Sequence, residues 1–205
     1  MHIKENDMRS FTRANALWPV VSLAAGSLIL WCAEGVAQVA PSQDFSTLVD
    51  LSATRLDISR KVALTKWDTN QPIADPPQDP REKQVIAAAA DEAVRLGLSG
   101  DLASAFFADQ IEASKLVQVE LMAEWQRAGQ APTDPRADLK AELRPALDGL
   151  RSRFIGELIA TQRLRDTPEC RTRLAQATRK HAEVHRLSAL YAIALDRGLA
   201  RVCGD

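Results

Sequence analysis

The sequence is poor in the residues on which nucleotide and metal chemistry depend. It has nine glycines and three histidines among 205 residues, and it contains neither a Gly-rich phosphate loop nor an HExxH segment. His181 and His185 stand four positions apart, but no obvious third ligand accompanies them. We therefore interpret them as surface or interhelical residues rather than as a zinc site. No alternating strand pattern and no internal repeat occurs, which argues against a β-fold or a solenoid.

An excess of charge of either sign is also missing. The chain has 26 basic and 27 acidic residues, a net charge of -1, and the two signs are interspersed. This balance argues against nucleic acid or an anionic membrane surface as the main partner. It leaves room for a local basic pocket, because net charge does not report clustering.

The N-terminus has the pattern of an export signal. Three basic residues open it: Lys4, Arg9 and Arg13. An apolar run from Ala16 to Ala33 follows, and small residues then favour cleavage after Ala37. We predict a signal peptide over residues 1–37 and a periplasmic or secreted domain over 38–205, with no membrane attachment after cleavage. A retained membrane anchor is the alternative, although the run is slightly short for a span.

Cleavage would leave two of the three cysteines. Cys32 is lost with the signal, and Cys170 and Cys203 remain. An even count in an exported protein predicts one disulfide, with a metal pair as the weaker alternative. A straight helix from Cys170 to Cys203 would be about 50 Å long, whereas bonded cysteines need Cα atoms about 4.4–6.8 Å apart. The segment must then bend back, and we place the bend near His181–Leu187.

Apolar residues recur with a helical period through the rest of the chain, so the predicted class is all-α. Four prolines between Gln71 and Pro80 predict a loop. A second linker, rich in proline and glycine, covers Ala128–Pro135. We expect a single-domain bundle of about five to six helices. The first helix is predicted from Thr47 to Asn70, with Ser46 as its cap. The others are predicted at Arg81–Leu96, Leu102–Arg127, Ala137–Arg165 and Cys170–Cys203, the last with the bend described above.

Several polar residues on these helices are candidates for a site. Arg55 and Lys66 lie 11 residues apart, and 11 steps of about 100° return to within roughly 20° of one direction. Both therefore lie on one face of the first helix, where two solvated charges are the alternative interpretation. The other candidates are Arg81 and Glu82 at a helix start, Ser114 and Gln118 four residues apart, and Arg144 before Pro145. Each signal is weak alone.

Their order and spacing together resemble one enzyme family. The segments that carry the resemblance are ATRL (53–56), TKW (65–67), PIAD (72–75), REKQVI (81–86), FADQIEAS (107–114) and RPALDGL (144–150). They resemble the AroQ-class chorismate mutases over about residues 44–204. The export signal, the extra C-terminal helices and the Cys170/Cys203 pair resemble the secreted gamma subclass.

The resemblance implies roles for four cations. Arg55 and Arg144 would bind the two carboxylates of chorismate. Lys66 would bridge a carboxylate and the ether oxygen, and Arg81 would help place the side-chain carboxylate. Arginine suits carboxylates because its planar fork donates two parallel hydrogen bonds.

It also implies roles for neutral and acidic residues. Gln118 would donate to the ether oxygen, Glu82 would accept from the ring hydroxyl, and Ser114 would contact the ring carboxylate. Asp75 matches an acidic position in the loop, but three extra residues separate it from Arg81, so Asp79 is the alternative. Val85 stands where some secreted members have a polar contact, which would be absent here.

The expected reaction, from chorismate to prephenate, is one intramolecular rearrangement. It requires positioning and stabilisation of charge on the ether oxygen, and no cofactor or metal. The family further suggests a homodimer with each site largely inside one chain. The main alternative is a non-catalytic periplasmic helical binding or scaffold protein. A degenerate, inactive mutase is a second alternative, which the intact candidate cations and Gln118 disfavour.

Overall fold

A computed structural model describes residues 40–74 and 80–204, which form one helical domain. The predicted signal peptide lies outside the described residues and stays a prediction. Among the described residues there is no strand, and none of their helices is long and apolar enough to cross a membrane. The helices are α1 (Ser46–Thr69), α2 (Arg81–Arg95), α3 (Gly100–Ala128), α4 (Arg144–Ala160), α5 (Gln162–Arg165), α6 (Cys170–His185) and α7 (Ala189–Gly198). The all-α prediction is confirmed.

The ends of α1 show where local sequence sets the boundaries. Ser46 was predicted to cap this helix, but it is the first helical residue. Phe45 is the N-cap residue and makes no side-chain capping bond. Asp44, one position earlier, accepts through Oδ1 from the backbone N–H and the hydroxyl of Ser46 at 2.8 and 2.6 Å. The helix ends where Asn70 adopts a left-handed φ of 53°, a conformation that asparagine tolerates well.

Helix α3 is the centre of the domain, with α1, α2 and α7 packed around it. Three phenylalanines join it to α4: Phe106 and Phe107 on α3 each meet Phe154 edge-on, with ring centroids 5.1 and 5.9 Å apart. All three side chains are fully buried. Edge-to-face pairs of this kind add about 0.5–1.5 kcal/mol to the free energy of apolar burial.

The segment predicted as one α-helix from Ala137 to Arg165 differs from that prediction in two places. It begins with a π-helical turn, Leu139–Leu143, in which the N–H of Leu143 donates to the carbonyl of Asp138 at 3.0 Å. The α-helix that follows is interrupted at Thr161, whose hydroxyl donates to the carbonyl of Glu157 at 2.7 Å. A back-bond of this type competes with the regular helical pattern, and apolar periodicity does not report it.

The C-terminal segment folds back as the disulfide prediction requires. Helix α6 ends at Arg186, which has a left-handed φ of 51°, and α7 follows the cap residue Ser188. The reversal therefore lies at the end of the predicted region. Cys170 and Cys203 are bonded, with Cα atoms 5.7 Å apart, so the disulfide prediction is confirmed.

Buried polar groups tie α7 to α3. Asp109 on α3 is fully buried, and its carboxylate pairs with Arg197 and, at 2.7 Å, with Arg201. The neighbouring Gln110 donates from Nε2 to the carbonyl of Gly198 at 2.9 Å. A Cβ on Gly198 would lie 3.0 Å from that nitrogen. Glycine at this position therefore permits the close approach of the two helices.

Candidate active site

A cavity of about 390 Å³ opens between α1, α2, α3 and the start of α4. This size is typical of small-molecule sites. Seven of the eight sequence-predicted site residues line it: Arg55, Lys66, Arg81, Glu82, Ser114, Gln118 and Arg144. They come from four helices, so the fold brings together residues that are up to 89 positions apart in the chain.

Arg55 is the most unusual charge in the cavity. Its side chain is 6% exposed, and among the described residues no carboxylate forms an ion pair with it. Its Nε makes one long hydrogen bond, 3.4 Å, to the carbonyl of Gln110. Burial lowers the pKa of Arg55 to about 10, and the charge of Asp148 opposes that shift only in part. A buried cation of this kind favours an anionic ligand.

Lys66 lies three turns further along the same face of α1, as the spacing predicted. Its Nζ donates to the carbonyl of Ile73 at 2.7 Å, which ties the segment after α1 to the cavity wall.

Helix α3 contributes the neutral polar groups. The hydroxyl of Ser114 donates to the carbonyl of Gln110 at 2.8 Å, and Gln118 Nε2 donates to the carbonyl of Ser114 at 3.1 Å. This bond fixes the orientation of the buried Gln118 amide. Its Oε1 accepts no hydrogen bond from the described residues. One Nε2–H is left for a ligand, because a primary amide has two.

An acidic residue links the cations on the opposite wall. Asp148 accepts from Arg81 Nη2 at 3.1 and 3.2 Å and from Arg151 Nη1 at 3.4 Å. Arg151 Nε also donates to Glu92 at 2.8 Å. These bonds hold two guanidinium groups at the cavity edge and offset part of their mutual repulsion.

Lys115 makes a second ion cluster beside Glu82. Its Nζ lies 2.7 Å from Glu112 and 3.1 Å from Glu82. The hydrogen bond to Glu112 is the main reason why the pKa of Lys115 is raised, and the bond to Glu82 adds to it. Both carboxylates therefore favour the charged ammonium at neutral pH.

Arg144 is the first residue of α4 and follows the π-helical turn directly. Its side chain is half-buried in the cavity wall. Within 40–74 and 80–204, no carboxylate pairs with its guanidinium. Like Arg55, it is therefore available for an external anion.

The cavity as a whole is basic, although the chain is not. Its lining holds six cations, Arg55, Lys66, Arg81, Lys115, Arg144 and Arg151, against two described carboxylates, Glu82 and Asp148. The net charge of -1 for the whole chain hides this concentration. Such a lining attracts anionic ligands.

Comparison with known proteins gives this cavity a family context. The profile of the family described as chorismate mutase type II matches residues 46–119. A secreted chorismate mutase from Mycolicibacterium smegmatis is 30% identical over 156 residues, which are 76% of this chain and 84% of that protein. The chain belongs to the chorismate mutase family.

Two further members of this family match the chain over most of their own length. The secreted chorismate mutase of Mycobacterium tuberculosis is 28% identical over 196 residues, 94% of this chain and 96% of that protein. The crystal structure of a chorismate mutase from Burkholderia phymatum superposes with a TM-score of 0.75 at 42% identity, covering 78% of this chain and 96% of the other. The family resemblance read from the sequence is confirmed.

Five polar residues of the chorismate mutase cavity were missed from sequence, among them Gln71 just after α1. Ser59 lies one turn after Arg55, Asp148 and Arg151 lie one and two turns after Arg144, and Lys115 adjoins Ser114. An i, i+4 search from the predicted residues would have found Ser59 and Asp148. Asp75 and its alternative Asp79 lie outside the described residues.

The two histidines lie elsewhere, beside a second cavity between α6 and α1. His181 Nδ1 is 2.9 Å from Asp50 Oδ1, and its ring centroid is 4.2 Å from that of His185. No group of three or more possible metal ligands occurs in the part of the chain that the structure describes. His181 therefore makes an interhelical contact.

Proposed function

We propose that this protein catalyses the rearrangement of chorismate to prephenate. The observation that carries the proposal is the buried Arg55, with which no described carboxylate forms an ion pair, facing one cavity together with Lys66, Gln118 and Arg144. Membership of the chorismate mutase family and the relatives named secreted chorismate mutase support it.

Arg55 and Arg144 bind the two carboxylates of chorismate in this proposal. They come from α1 and α4, so one ligand that engages both is held from two directions. A bound dicarboxylate would provide the direct ion pair that no described carboxylate makes with Arg55. Arg81, anchored by Asp148, assists the side-chain carboxylate, and Ser114 contacts the ring carboxylate. Holding the enolpyruvyl arm over the ring supplies the positioning part of catalysis.

Lys66 and Gln118 stabilise the transition state at the ether oxygen. As the C–O bond breaks and the new C–C bond forms, negative charge grows on that oxygen. The ammonium of Lys66 and the second Nε2–H of Gln118 are donors whose positions are set beforehand by Ile73 and Ser114. Donors fixed in this way need no reorganisation during the reaction.

Glu82 accepts from the ring hydroxyl of chorismate, and its contact with Lys115 helps to hold the carboxylate in position for that purpose. Asp75, with Asp79 as the alternative, is proposed to assist from the loop before α2. The reaction transfers no proton, hydride or group to the protein, so the mechanism calls for no cofactor and no metal.

The protein acts outside the cytoplasm, in the periplasm or after secretion, as the relatives named secreted chorismate mutase indicate. We propose that residues 1–37 are the export signal and that the mature chain 38–205 forms a homodimer. Size determination and N-terminal sequencing of protein recovered from the periplasm test both statements.

A chorismate assay separates catalysis from a purely binding or scaffold role. Purified mature protein should consume chorismate, followed by its ultraviolet absorbance, and EDTA should leave the rate unchanged. Arg55→Ala and Lys66→Ala should abolish most of the activity. Asp50→Asn, on the same helix but beside the second cavity, is the matched control and should keep it. A wild-type protein that binds chorismate without consuming it would overturn the catalytic proposal.

A further inference from the structure

The linker between α3 and the π-helical turn, residues 129–138, runs beside α1 without regular structure of its own. It contains Pro132 and Pro135. The C-terminal end of the linker determines where the π-helical turn begins, and that turn leads into Arg144. Leu143, directly before Arg144, is buried and holds the start of α4, but the next buried residue is Leu150. Contacts made by the linker add to this anchoring, because helix ends fray.

Two bidentate ion pairs anchor this linker to α1. Arg60 donates to both oxygens of Asp134, at 3.1 and 2.8 Å. Asp68 accepts twice from Arg136, at 2.6 and 3.2 Å. Paired fork contacts fix direction as well as distance, so they restrain the orientation of the linker on α1. We call these four residues the α1 clamp.

Further bonds carry this restraint towards Arg144. Thr65 on α1 donates to the carbonyl of Ala137 at 2.9 Å. Asp138 then caps the π-helical turn, because its Oδ1 accepts from the N–H groups of Lys140 and Ala141 at 2.7 and 2.6 Å. The turn leads directly into Arg144.

The clamp lies outside the cavity. The α1 residues that line the cavity are Arg55, Ser59, Val62 and Lys66, whereas Arg60 and Asp68 do not line it. Helix α1 thus presents its substrate-facing cations on one side and holds the linker on another. Arg144 has no described carboxylate to hold it, so its position depends on its backbone.

We propose that Asp134 and Arg60, with the Asp68–Arg136 pair, are positioning residues that hold Arg144 in the cavity. They act through the linker and touch no substrate. This inference rests on the proposed function, because it concerns how a carboxylate of that substrate is bound.

The test compares steady-state kinetics of Asp134→Ala, the double variant Asp134→Ala/Arg136→Ala and the control Asp50→Asn. In this proposal Arg144 binds a substrate carboxylate equally well in the ground state and in the transition state. Displacement of Arg144 should therefore raise KM and leave kcat nearly unchanged. Each lost pair should raise KM by up to about fivefold, the range that exposed ion pairs allow. Arg60 and Asp134 side chains are 34% and 39% exposed, so the variants should stay folded. Asp50→Asn should match wild type.

Two further variants separate positioning from a general structural effect. The charge exchange Arg60→Asp/Asp134→Arg should recover most of the KM lost in Asp134→Ala. In an Arg144→Ala background, Asp134→Ala should weaken prephenate binding, measured by calorimetry, no further. A wild-type KM in the double clamp variant, or equal weakening with and without Arg144, would overturn the inference. An inactive wild type would instead refute the proposed function.

Discussion

Gln118 donates from Nε2 to the carbonyl oxygen of Ser114, one helical turn before it, at 3.1 Å. The bond leaves its second N–H for the ether oxygen of the substrate. Because an amide does not titrate, we expect kcat/KM of the wild type to be nearly flat from weakly acid to weakly alkaline pH. Gln118→Ala should lower it by about 10²–10³-fold at every pH.

Gln118→Glu provides the sharper test of the same donor. An ionised carboxylate would repel the charge that grows on the ether oxygen, so this variant should be poorly active at neutral pH. Activity should recover as the pH falls towards the ordinary glutamate pKa of about 4.3 and the carboxyl gains a proton. The measurement is kcat/KM against pH for the three proteins. Wild-type activity of Gln118→Glu at neutral pH would remove Gln118 from the mechanism.

Arg55 should favour function at the expense of stability. Burial of the guanidinium lowers its pKa to about 10, and the charge of Asp148 offsets that shift only in part. Arg55→Met keeps much of the volume and removes the charge, so we expect it to raise the free energy of unfolding by about 1–3 kcal/mol and to abolish turnover. Urea denaturation and the chorismate assay check this. A less stable variant that keeps activity would contradict it.

The disulfide should stabilise the fold without taking part in the reaction. None of the cavity residues lies beyond Arg151, whereas the bond joins Cys170 to Cys203. Replacing both cysteines with serine should lower the free energy of unfolding by about 2–4 kcal/mol and leave kcat/KM unchanged. Thiol titration of native exported protein should find no free cysteine. Loss of turnover in a folded variant would show a role in the site.

Asp109 should make the domain sensitive to acid. Burial alone would raise the pKa of its carboxyl, but hydrogen bonds from Arg201 and Arg197 outweigh that effect and lower it. A lowered pKa means that the carboxylate adds stability above the ordinary aspartate value, about 3.9, and that this contribution is lost as the pH falls through and below it.

Asp109→Asn tests that contribution. The variant should be less stable than wild type by about 1–3 kcal/mol at pH 7, with a smaller difference at pH 3. Urea midpoints at both pH values measure it. A difference that does not shrink in acid would exclude Asp109 as the titrating group.

Sequence reasoning reached the helical class from apolar periodicity, and the candidate cations from the resemblance of their segments to the AroQ-class chorismate mutases. The 11-residue step from Arg55 to Lys66 fixes a shared face whatever the tertiary structure. The cysteine pair required a reversal, which was predicted near His181–Leu187 and lies at Arg186. Proline and glycine likewise marked the linker after α3. These features depend on residues that are close together in the sequence.

Contacts between distant segments were not predictable in the same way. The ion pair of Asp148 with Arg81 joins residues 67 positions apart, and that of Arg60 with Asp134 joins residues 74 apart. Neither has a periodic signal, because each depends on how α1, α2 and α4 pack. The π-helical turn was also missed, since apolar periodicity does not distinguish it from the α-helix that follows.

The six cations that the described residues contribute to the basic cavity come from four segments of one chain, with Arg144 supplied by α4. We therefore expect turnover without a second copy of the chain. Specific activity should stay constant when the enzyme is diluted far below the dissociation constant of any dimer. Self-association and turnover are then separable properties, and a monomeric variant should retain the full rate per chain.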